Sequence, residues 1–154
     1  MRYCGIDPGV AGAIALIDTD GGSAEVLDLP SGPLGIDPVA LSKILDAWGV
    51  RSVTLEDNRA VGSNGSLANF SMGRCVGLIA GTVLATGRAL WRVKPQEWQQ
   101  SVGLSNVKAT ERKDAHRMRA MEMFPELHDE LKRKRDHNRA DALLITEYAR
   151  RGPK

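Results

Sequence analysis

Before residue 30 the apolar positions fall in short, strand-length runs; after it stretches at helical spacing alternate with two more such runs. Arg2–Asp7 (RYCGID), Gly12–Asp18 (GAIALID) and Ala24–Leu29 (AEVLDL) are three such short runs, separated by the turn PGV and by Asp20-Gly21-Gly22. Connections this short predict an antiparallel meander. A Gly/Pro loop, PSGPLGIDP, then leads to the helical pattern VALSKILDAWG. Asp37 is its expected N-cap, Pro38 occupies its first position and Gly49 ends it.

Val50–Glu56 is a fourth strand, ending in the acids Glu56 and Asp57, and the polar glycine-rich loop DNRAVGSNGS follows it. Leu67–Thr86 reads as a helix in which Gly73, Gly77 and Gly81 line up on one face, leaving a flat stripe that another backbone can approach. ALWRVKP is a fifth strand. After it come PQEWQQSVG, the charged helix KATERKDAHRMRAMEMFP, the basic run KRKR and a last helix over Asn138–Ala149. This order predicts one mixed α/β domain over 1–154, a five-stranded sheet whose first three strands are antiparallel and whose last two run parallel to the first.

Composition adds few constraints. The chain has 154 residues, 42% of them hydrophobic and 26% charged, which suits a single globular domain. No run was expected to reach the roughly 20 apolar residues of a membrane span, and the start MRYCGIDPGV has no signal-peptide core. No membrane association is expected; the expected location is cytoplasmic, in a bacterium or a phage-infected cell, or an organelle only if a transit peptide has been removed. Cys4 and Cys75 have no Cys or His at zinc spacing, so buried reduced thiols are expected. Charge is uneven: residues 1–93 hold seven Lys and Arg against nine Asp and Glu, whereas residues 94–154 hold fourteen against ten. The basic groups gather late in the chain, where they could meet phosphate.

The acids carry the chemistry. Asp7 ends the first strand and Glu56 the fourth; if those strands lie side by side in parallel, both carboxylates emerge at one edge of the sheet, where open α/β sheets keep their sites. In the last helix Asp141 interrupts the apolar face of Ala142, Leu143, Ile145 and Ala149, and a buried acid needs a partner, a proton or a metal. Three converging carboxylates favour divalent metal, and carboxylate and water ligands suit Mg²⁺, with Mn²⁺ as substitute. Two ions about 4 Å apart would clamp the attacking and leaving oxygens of a phosphodiester.

GIDPGVAGAIALID, VTLEDNRAVGSNGSLANFSMGRCVGLIAG and RADALLITEY resemble, in order, the first, second and last acidic motifs of the RuvC-type Holliday junction resolvases. HNRADALLITEYARR and VKPQEWQ are most similar to the phage-type branch and to plant chloroplast resolvases. The resemblance implies an RNase H-like fold, a homodimer and a metal-dependent nuclease that makes paired nicks across a four-way junction. It carries Asp7, Glu56 and Asp141 over as metal ligands and catalytic residues. In bacterial members an Asp or His stands three residues before the last Asp; here that position is Asn138.

Asp136, His137 and Asn138 are therefore alternatives for a fourth ligand. At about 100° per residue, His137 lies some 40° from Asp141 around the helix, Asn138 about 60° and Asp136 about 140°. Geometry favours His137, as ligand or proton acceptor, with Asp136 as cap or outer acceptor. Arg59, Lys94, Lys108, Lys113, Arg117 and Arg135 are the candidate DNA contacts. Lys113 leads them because RuvC-like proteins place a functional lysine in this region, and Arg59 lies in the loop with which they probe the junction centre. Trp48, Trp91 and Trp98 are expected to pack in the core. An actin-like or acetate-kinase-like ATPase would need two RNase H-like lobes, so no nucleotide cofactor is expected. A fork- or flap-cutting nuclease and a catalytically inactive junction-binding module are the remaining rivals.

Overall fold

The structure, a computed structural model, describes residues 1–57 and 65–152. Its strands are β1 (Arg2–Asp7), β2 (Ala13–Asp18), β3 (Ser23–Asp28), the two-residue pair β4 (Ser31–Gly32) and β5 (Gly35–Ile36), β6 (Ser52–Glu56) and β7 (Ala89–Val93). Its helices are α1 (Pro38–Trp48), α2 (Ser66–Ala85), α3 (Pro95–Ser101), α4 (Arg112–Met123), α5 (His128–Leu131) and α6 (His137–Arg151), with short 3₁₀ turns at Pro125–Leu127 and Lys134–Asp136. The main sheet runs β3-β2-β1-β6-β7. β1–β2 and β2–β3 pair antiparallel, β1–β6 and β6–β7 parallel. This is the five-stranded mixed sheet that the hydrophobic pattern predicts.

Both faces of the sheet are covered, so alternate residues of one strand enter different cores. Cys4, Ile6, Ile14, Leu16, Val53 and Leu55 meet α1 and α2 on one side. On the other side Ala13, Ala15 and Ile17 lie under α6. Residues on that side are small for a reason: a Cβ on Gly5 would stand 2.6 Å from the backbone nitrogen of Thr146 and 2.9 Å from the carbonyl of Ala142. Glycine lets α6 rest directly on β1, and side-chain alternation then aims Asp7, two residues on, towards the same helix.

Local signals explain most of the boundaries. Asp37 accepts hydrogen bonds from the backbone of Val39 (2.9 Å) and Ala40 (3.1 Å), and Gly49 takes the left-handed conformation that ends α1. α4 begins at Arg112, later than the expected start, and Lys108 lies in the turn before it. α2 also departs from expectation: by length and composition alone it could cross a membrane. In this fold it instead lays Cys75, Ile79 and Val83 on the sheet. Its glycines 73, 77 and 81 face open space, not the protein's own sheet. Trp48 and Trp98 are core residues, but Trp91 is 64% exposed on the edge strand β7, against the expectation that it packs inside. Both cysteines are buried free thiols.

Candidate active site

β1 and β6 run parallel with Gly5 opposite Thr54 and Ile6 opposite Leu55, so Asp7 and Glu56 finish at the same end of the sheet. A tight loop turns the chain away from Asp7: a Cβ on Gly12 would lie 2.3 Å from the Asp7 carbonyl. α6 crosses above, and Asp141 sits one residue before the Ala142 carbonyl that touches Gly5. The three acids thus reach one open cavity of about 510 Å³.

Asp7 is 8% exposed. Burial, then the Asp141 carboxylate, then that of Glu56 push its pKa well above the ordinary carboxylate range. Each of the other two acids receives a hydrogen bond from an aromatic ring. The indole of Trp98 donates to Glu56 Oε1 at 2.8 Å, and Nδ1 of His116 lies 2.7 Å from Asp141 Oδ1. The two rings meet edge to face, 5.0 Å between centroids. The other ring nitrogen of His116, Nε2, is buried and without a partner among the described residues. Such an orphan costs about 1–3 kcal/mol and calls for a functional reason.

His137 and Asn138 also line the cavity. Nδ1 of His137 lies 3.2 Å from the Lys134 carbonyl, so in the neutral ring Nε2 is the acceptor. Asn138 donates from Nδ2 to the Ala11 carbonyl at 2.5 Å, tying α6 to the loop after β1. Asp136 does not line the cavity. Its buried carboxylate accepts from Nε and Nη2 of Arg133 and from the Arg133 backbone. Burial alone would raise its pKa, but the Arg133 hydrogen bonds outweigh burial and hold it low. Expected as a metal ligand, Asp136 is here paired with Arg133, outside the cavity lining, and closes the turn before α6.

The basic candidates divide in the same way. Lys113 lines the cavity, together with its neighbour Arg112. Arg117 does not: it donates to the carbonyls of Leu131 and Lys132 and to Asp114, so it braces α4 against the end of α5. Lys94 is exposed just before α3, where its backbone donates to Glu97 at 3.0 Å. Lys108 and Arg135 are exposed away from the cavity lining. Arg59 falls outside the described residues.

Sequence reasoning passed over His116 and the hydrogen bond of Trp98. His116 stands 25 residues from Asp141 in a helix dense with charge, and its one mark was an imidazole on the inward side of that helix. As a donor set, three carboxylates crowded together suit a hard divalent ion. They are not a finished cage: among the described residues no three Asp, Glu, His or Cys groups already stand as a metal-binding cluster.

No family model matches this sequence, and no curated protein matches it significantly. Solved structures do match. One is Thermus thermophilus RuvC in complex with a Holliday junction substrate, at TM-score 0.67 and 19% identity over 99% of this chain and 97% of that one. The fold is the RuvC fold. A second Thermus thermophilus RuvC structure agrees, with TM-score 0.66, 19% identity and coverage of 99% and 98%. Like RuvC, the chain has an RNase H-like sheet flanked by helices.

Proposed function

We propose that this chain is a metal-dependent endonuclease that resolves four-way DNA junctions by paired, symmetric nicks. The observation that carries the reading is the buried Asp7 carboxyl, crowded by Asp141 and Glu56, in the lining of an open cavity. The RuvC fold supports the substrate class, since one matched RuvC structure holds a Holliday junction.

Asp7, Glu56 and Asp141 would hold Mg²⁺ or Mn²⁺, two ions in this reading. When bound, the metal activates water and stabilises the charge that grows on the phosphate. The protein's own groups do the rest. Nε2 of His137 accepts a proton from the attacking water, its ring fixed by the Lys134 carbonyl. Lys113 and Arg112 approach from the start of α4 and hold the phosphate oxygens. Water adds to phosphorus and one P–O ester bond breaks, leaving a nick. Two symmetric nicks need two such sites related by a two-fold axis, which a homodimer supplies. The outward glycines of α2 leave a face free for a second copy.

The test is a substrate panel: labelled four-way junction, Y-fork, flap, duplex and single strand, each with and without Mg²⁺. Paired symmetric nicks in the junction, dependent on the metal, are expected. Faster cutting of forks or flaps would move the reading to a branched-DNA nuclease, and tight junction binding without any cutting would leave a binding module.

A further inference from the structure

Glu56, Trp98, His116 and Asp141 form one continuous chain of contacts across the floor of the cavity: hydrogen bond, ring edge on ring face, hydrogen bond. Its ends are carboxylates from different elements, β6 and α6, and its middle is a pair of buried rings, Trp98 1% and His116 3% exposed. We infer that Trp98 and His116 are positioning residues that set the spacing and orientation of Glu56 and Asp141 for binding a divalent cation. The inference rests on the metal-dependent reading proposed above.

Three observations favour this over a core role alone. First, a ring nitrogen of each residue is spent on an acid of the cavity, Trp98 Nε1 on Glu56 and His116 Nδ1 on Asp141. Second, each of these acids is met by one nitrogen of a ring, whereas Asp136 and Glu147 are gripped by arginine guanidinium groups. A ring hydrogen bond of this kind orients a carboxylate without filling the place of a cation. Third, the acids do not already stand as a metal-binding cluster, so whatever fixes their separation governs how readily they close on an ion. The two rings touch, and so the two carboxylates are coupled through them.

The experiment is Mn²⁺ binding to the intact protein without DNA, read as loss of the free-ion paramagnetic resonance signal. Trp98→Phe and His116→Phe keep a ring in place and remove the donor; each should weaken Mn²⁺ by about tenfold or more, the range known for outer hydrogen bonds to metal ligands. His116→Asn returns an N–H at the Nδ1 position and should recover most of the affinity, which a change in packing alone would not do. Because the rings touch, the double variant should lose less than the two single losses combined. Wild-type protein that binds Mn²⁺ while both Phe variants bind it equally well would overturn this inference alone. Wild-type protein that binds no Mn²⁺ would overturn the metal-dependent reading and this inference with it.

Discussion

α6 holds Asp136 just before its first turn, Asp141 in its second and Glu147 near its end, and the surroundings of these acids differ sharply. Asp136 and Glu147 are each gripped by arginine: Arg133 on the first, Arg150 and Arg151 on the second. For both, burial raises the pKa, but the arginine hydrogen bonds outweigh it and hold the acid low. Asp141 meets an imidazole and faces Asp7, whose pKa is driven up by burial and by its acidic neighbours. One helix therefore carries acids paired with arginine and an acid that meets an imidazole and another acid. The arginine-paired acids are held by nearby residues of the chain, and Asp141 belongs to the cavity. Sequence alone does not separate them, because Arg133 and Asp136 sit in the run Lys132–Asp136, where every residue is charged.

The most damaging way to break this contrast is to move the helix. Gly5→Ala forces a Cβ against backbone atoms of α6; it should cost about 3 kcal/mol in denaturant unfolding and carry Asp141 away from Asp7, lowering cleavage as well. Removing an arginine-paired acid should cost less. Asp136→Ala strands Arg133 and a backbone N–H, worth about 2 kcal/mol of stability.

The pH dependence sharpens the same point. A carboxyl whose folded pKa is depressed contributes stability that is present above its unfolded pKa, near pH 4, and is lost as pH falls through the folded value. Asp136→Asn and Glu147→Gln should thus flatten the acid limb of the stability curve, measured by melting across pH. Asp7 has the opposite sign: with a raised folded pKa, its ionisation costs metal-free stability as pH climbs from about 4 towards that value.

Two smaller effects concern the cavity itself. If Lys113 holds a phosphate, Lys113→Ala should weaken junction binding about tenfold and lower the salt slope by about one counterion; unchanged binding and slope would make it a solvated helix residue. Asp7→Asn should raise the melting temperature of the metal-free protein by the equivalent of about 1 kcal/mol, since one of three crowded charges is gone. A fall in melting temperature would mean that Asp7 is structurally satisfied like Asp136.

Much of the fold was legible because it is written locally. β1 matches its apolar run over Arg2–Asp7, α1 follows its Asp37 and Pro38 signals, and the order of elements implies the mixed sheet. The start of α4 was misread because Lys108-Ala-Thr-Glu111 has good helical residues without a cap that would fix the helix there; the first turn forms only from Arg112. The β4–β5 ladder is two residues long on each side, too short to leave a periodicity. In the site, the strand-end acids could be found from the sheet's parallel edge. Their partners could not: His116 with Asp141, Trp98 with Glu56 and Arg117 with the Leu131 and Lys132 carbonyls are contacts between distant segments. Asp136 and His137 are adjacent in sequence, yet one is turned to Arg133 and the other lines the cavity.

The most direct test compares one acid of each kind in the proposed reaction. Single-turnover cleavage of a labelled four-way junction in Mg²⁺ would be measured for wild type, Asp7→Asn and Asp136→Asn, below the melting temperature of all three. Asp7→Asn should lose about a thousandfold or more in rate while still binding the junction, as expected when a metal-holding carboxylate is lost, and Asp136→Asn should cut nearly as fast as wild type. Near-normal cleavage by Asp7→Asn, or an Asp136→Asn enzyme as inactive as that variant was predicted to be, would contradict the division of acids on which the account rests.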